Sequence, residues 1–161
     1  MTESERIADQ LRRAFAGEAW HGDALLRLLR DVNTKAAAKR PIKSAHSIWE
    51  LVMHIAVWDE AVLRRMRGEI VRVPAQKNFP RVKDASEAAW REALAYMKRT
   101  HTELVKAVAA FPDSRLHEQV AGKSQKHHNF YYMFQGVAQH ELYHAGQIAL
   151  LKKAQGLAGS R

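Results

Sequence analysis

The 161 residues of the chain suit a single domain, 1–161, with a full apolar core. No cysteine is present, which excludes disulfides and thiolate ligands and leaves His, Asp, Glu or water to hold any metal. Lys and Arg number 26 against 17 Asp and Glu, a net charge of +9 that favours anionic partners, but the basic residues form no patch or known signature, which argues against nucleic acid.

The opening MTESERIADQ is polar and lacks a signal-like apolar run. No stretch of about 18 apolar residues follows, so no membrane span is expected, and a cytoplasmic protein is. The first helical segment covers about 3–32, with Ile7, Leu11 and Phe15, then Leu25, Leu28, Leu29 and Val32 on its apolar side. Gly17 and Gly22 flank EAWH and are expected to bend or break it there. The second runs over about 47–67. Ser47-x-x-Glu50 forms a capping box at its start, Gly68 stands past its end, and Ile48, Leu51, Ile55, Trp58, Val62 and Met66 make its stripe.

A loop with Pro74, Asn78 and Pro80 leads to the third helix, about 84–110, for which Asp84-x-x-Glu87 is read as the capping box. Its stripe is Trp90, Leu94, Met97, His101, Leu104, Val108 and Phe111. A polar loop containing His127 and His128 precedes the fourth helix, about 130–154. Its stripe is Phe130, Met133, Val137, His144, Ile148 and Leu151, and Lys152 and Lys153 stand where the helix dipole favours cations. No stretch alternates with period two, so no strand is expected. The reading is an all-α four-helix bundle with two long connections, of the kind that shapes sites at a bundle's end.

The sequence QHELYHAGQ, 139–147, contains His140-Glu141-Leu142-Tyr143-His144, which spells the H-E-x-x-H of zinc proteases. No His, Asp or Glu follows His144 to complete such a site, and at 100° per residue Glu141 points away from His140. His140 and His144, one turn apart and both near the core face, can reach one ion as half of a metal site. A third ligand then comes from a facing helix. His54, beside the Leu51/Ile55/Trp58 stripe, is the first candidate. His101, central on its own stripe, is the second, as a fourth ligand, a partner behind the ligands or a hydrogen-bonded core histidine. His127 and His128 read as residues of a polar surface loop, and His21, His46 and His117 carry no signal.

Four stretches, AWHGDALLRLL, HSIWELVMHIAVWDEAVLRRMRGE, NFP and GVAQHELYHAGQIALLKK, together resemble the DinB/YfiT-like superfamily of small metal-binding four-helix bundles, over nearly the whole chain. SIWELVMHI and HELYHAGQI are the most specific parts. The resemblance implies a divalent metal held by three histidines, which by motif are His54, His140 and His144. It reserves no catalytic part for Glu141. It also implies kinship with thiol-transferase bundles, in which the metal activates a low-molecular-weight thiol or water.

An all-imidazole set suits Zn²⁺, Ni²⁺, Fe²⁺ or Mn²⁺, with zinc the default and nickel next. Three functions are open: a metal-dependent transferase or hydrolase acting on a small molecule, a non-catalytic metal-binding stress-response protein, and a basic nucleic-acid-binding helical module. For the first, Glu50, one turn before His54, is the candidate for orienting an imidazole or taking a proton, surface pairing being its simpler fate. Tyr143, Trp58 and Trp20 could line a pocket, and Arg64 and Arg65 could receive an acidic substrate, although a charged run at a helix end is usually solvated. A homodimer through an apolar bundle face is expected.

Overall fold

Thr2, Ser47, Ser86 and Asn129 each sit in extended backbone and turn a side-chain oxygen onto the amide three residues ahead. Such caps satisfy otherwise orphaned helical N–H groups, and these four open the four long helices. The computed structural model describes residues 1–125 and 128–157. Its helices are α1 (Glu3–Ala16), α2 (Leu25–Leu29), α3 (Thr34–Ala38), α4 (Ile48–Met66), α5 (Ala75–Asn78), α6 (Glu87–Ala109) and α7 (Phe130–Ala154). No strand occurs among the described residues, so the protein is all-α; His127 lies outside them.

The expected break in the first helix is present. The Gly17 amide closes α1 on the carbonyls of Arg12 and Arg13, and a Cβ there would lie 2.9 Å from the Arg13 Cα. Gly22, at φ +123°, then takes a conformation open to glycine at little cost, and the helix resumes at Leu25. One expectation is corrected. Asp84 does not cap α6. Its carboxylate instead accepts from the backbone and hydroxyl of Ser86, and the Ser86 hydroxyl caps the helix through the Ala89 amide. Two capping-type residues two apart compete, and the one adjoining the first helical turn takes the role.

α1 and α4 each pack against both α6 and α7, which places α1 and α4 on the diagonal of a bundle; α2 and α3 cover one end, against α7 and α4 respectively. The buried apolar side chains form two clusters. One gathers Phe15, Ile55, Ala56, Met97, Ala145 and Ile148 with α2 and α3. The other gathers Ile7, Leu11, Val62, Leu63, Leu104, Phe134 and Val137. Between them, at matching heights on three helices, lie buried polar residues: Asp59 on α4, His101 on α6 and Glu141 on α7. The core is thus two apolar layers with a polar layer between them.

Two charged residues depart from simple surface roles. Lys152 is buried. Its ammonium donates to the Leu28 carbonyl at 2.7 Å and pairs with Asp31, tying the end of α7 to the end of α2. Glu50 is buried in the first turn of α4, where one carboxylate oxygen accepts from the Ser47 amide at 2.8 Å and the other from Arg40.

Candidate metal centre

Helical geometry brings three imidazoles together. His54 flanks the buried face of α4, and His140 and His144 are one turn apart on α7. The Nε2 of His140 lies 2.8 Å from that of His54 and 3.0 Å from that of His144. Ligand nitrogens about 2.1 Å from an ion stand about 3.0 Å apart at right angles and about 3.4 Å apart at the tetrahedral angle. The two observed separations lie at and just under the short end of that range, and the three residues offer ligand atoms within 4.8 Å of one another, close enough to share one ion.

The remote nitrogens set the tautomers. His54 Nδ1 is 2.6 Å from the Asn78 carbonyl, which can only accept, so Nδ1 carries the proton and Nε2 keeps its lone pair. His144 Nδ1 likewise donates to Gln147 Oε1 at 2.9 Å. His140 Nδ1 is buried without a hydrogen-bond partner. With two lone pairs aimed at His140 Nε2, one proton there could serve its neighbours, but a cation would take all three nitrogens at once. Burial lowers all three side chains. It takes His54 to about 4 against the Asn78 hydrogen bond, and His140 to about 3, with the neighbouring imidazoles adding to it. Uncharged imidazole is the form a metal requires.

The three rings stand in a cleft of about 400 Å³. Phe79 stacks on His54, with centroids 3.9 Å apart, and His46 stacks on Phe79 at 3.7 Å. Trp58 meets His54 and His140 edge-on, and its indole N–H donates to Asn78 Oδ1 at 2.9 Å. Asn78, the last residue of α5, thus fixes His54 with its backbone and Trp58 with its side chain. Arg65 also lines the cleft. It is buried, lies 5.4 Å from the Trp58 ring centroid and donates to the Val71 carbonyl at 3.0 Å, while Arg64 pairs with Glu69 at the surface. No carboxylate comes within ion-pairing distance of Arg65 among the described residues. Tyr143 stands exposed at the same cleft, and Trp20 lines a different one.

Of the sequence candidates, His54, His140 and His144 come together. Glu50 does not join them, since both of its oxygens serve the cap and Arg40. His101 lies in the polar layer as a hydrogen-bonded core histidine, with Nδ1 2.7 Å from Glu141 Oε1 and 3.5 Å from Asp59 Oδ2. Its fourth-ligand alternative finds no support, because it groups with Asp59 and Glu141 and not with the other histidines. Burial opposes a charge on His101, but the two carboxylates outweigh it and raise the ring to about 9; burial raises both carboxyls in turn. Asp59 escapes a reading that looks only for apolar stripes, yet it stands at the fourth-residue step between Ile55 and Val62. His46 and Asn78 have no comparable periodic signal.

The sequence model of the DinB superfamily matches residues 19–148. The matched span includes His54, His140 and His144 as well as Asp59, His101 and Glu141. No curated protein and no solved structure matches the chain.

Proposed function

The chain belongs to the DinB superfamily, and from that premise we propose a divalent-metal-dependent enzyme that acts on a small anionic molecule, as a thiol-dependent transferase or a hydrolase. The observation that carries this reading is the convergence of three Nε2 atoms, 2.8 and 3.0 Å apart, in an open cleft. His54, His140 and His144 would hold the ion, with Asn78 and Gln147 fixing two of the rings from behind. Three imidazoles leave such an ion its full charge and an open position, so that when bound it supplies a Lewis acid able to acidify a thiol or water. The donor set suits zinc first and nickel next, with iron and manganese also compatible.

The remaining roles belong to the chain itself. Trp58 and Phe79 wall the cleft with apolar surface and lower the local dielectric. Arg65, held in place by Val71 and Trp58 and facing no carboxylate, is the group that would receive a substrate carboxylate or phosphate. Glu50 has no part in this reading, because its oxygens are already engaged.

The test is metal content. Protein purified without a polyhistidine tag is expected to lose one ion per chain on His144→Ala, while its helical circular dichroism is retained. Equal metal content in the two proteins refutes the site. In cobalt-substituted protein, an added low-molecular-weight thiol should change the visible spectrum. An unresponsive spectrum favours a non-catalytic metal-binding protein.

A further inference from the structure

Asp59, His101 and Glu141 form a second group whose buried atoms lack partners. Both oxygens of Asp59 and Oε2 of Glu141 are buried without a hydrogen bond, and both residues are almost wholly inaccessible. The single Nδ1–H of His101 can serve only one of the four carboxylate oxygens. Orphaned carboxylate oxygens in an apolar interior carry a full desolvation penalty, and native cores rarely leave several together.

The geometry suits an ion. His101 Nδ1 stands 2.7 Å from Glu141 Oε1 and 3.5 Å from Asp59 Oδ2, and one ligand atom from each of the three residues lies within 4.8 Å of the others. Oxygen and nitrogen ligands about 2.1 Å from a metal are separated by about 3.0–3.4 Å, a range these two separations bracket. Phe15 stacks on the His101 ring at 3.7 Å and 5°, closing the layer from the α1 side. Each ligand comes from a different long helix. The three contributors are also distinct from those of the cleft, although Glu141 directly follows His140 in sequence.

We propose that Asp59, His101 and Glu141 form a second divalent-cation site in the bundle core, a closed one with a structural role. Two carboxylates and one imidazole are harder ligands than three imidazoles, so this site favours manganese or ferrous iron, whereas the cleft suits zinc first and nickel next. It stands independently of the proposed enzyme function.

Manganese is the probe. The full chain, untagged and stripped with chelator, is prepared as a His54→Ala/His140→Ala/His144→Ala variant, which removes the cleft ligands. This variant is expected to bind one Mn²⁺ per chain in equilibrium dialysis. The electron spin-echo signal should show modulation from one imidazole nitrogen, that of His101. Adding Asp59→Asn should weaken binding by more than the roughly 10–100-fold that an outer-shell partner costs. A folded triple variant that takes up no manganese overturns the proposal, as does bound manganese without nitrogen modulation or unaffected by Asp59→Asn. If Asp59→Asn does not fold, the nitrogen modulation decides alone. The three-histidine site is judged separately, by wild type against His144→Ala, so the two proposals can fail apart.

Discussion

A histidine accepts a cation only while one ring nitrogen keeps its lone pair, and burial holds His54 and His140 in that state by lowering them to about 4 and about 3. Between the ordinary value near 6.5 and these lower ones, the unfolded chain takes up protons that the folded chain refuses. Their contribution to stability is therefore complete above about pH 6.5 and is lost as pH falls through the folded values. Glu141 acts in the opposite sense over part of that window, because burial raises its carboxyl and the folded chain keeps a proton that the unfolded chain releases. The imidazole effect is thus read as a difference between proteins. In chelator, the urea midpoint of wild type should fall more steeply between pH 6.5 and pH 4 than that of His140→Leu. Equal slopes, followed by far-ultraviolet circular dichroism, would mean that burial of this ring does not set its protonation.

At the scale of the helix, the ends of α4, α6 and α7 are legible in the sequence to within a few residues, because caps and stripes are local signals. So are His54, His140 and His144, where the α7 pair declares itself by spacing and the α4 partner by family likeness. What stays hidden depends on tertiary packing. Ser86 and Asp84 are equally good caps until a fold chooses between them. Asp59 and Glu141 sit at apolar register positions, but a carboxylate there reads as a boundary until three helices close around it. Lys152 is the same case with the opposite charge, since its place at the end of α7 suggests a solvated cation and the fold buries it. It supplies the donor for the Leu28 carbonyl and the partner of Asp31. Lys152→Met keeps the length and apolar stem of the side chain but leaves that carbonyl unpaired, which should cost about 1–3 kcal/mol in urea unfolding. A loss below the error of the measurement would show that water replaces the ammonium freely.

For the whole molecule, the cleft histidines join helices far apart in the chain, since His54 and His140 are separated by 86 residues. No helix among the described residues is long and apolar enough to cross a membrane. An ion bound to native His54, His140 and His144 but not to the unfolded chain stabilises by mass action, about 2.7 kcal/mol when its free concentration is 100 times the dissociation constant. A chain of this length shifts its midpoint by about 2–4 °C per kcal/mol, so chelator-stripped protein given saturating Zn²⁺ should melt about 5–11 °C higher. The His54→Ala/His140→Ala/His144→Ala variant should lose that gain, its midpoint being the same with zinc and with chelator. A wild-type midpoint indifferent to zinc and to chelator would mean that the three rings meet without sharing an ion, held instead by a proton on His140.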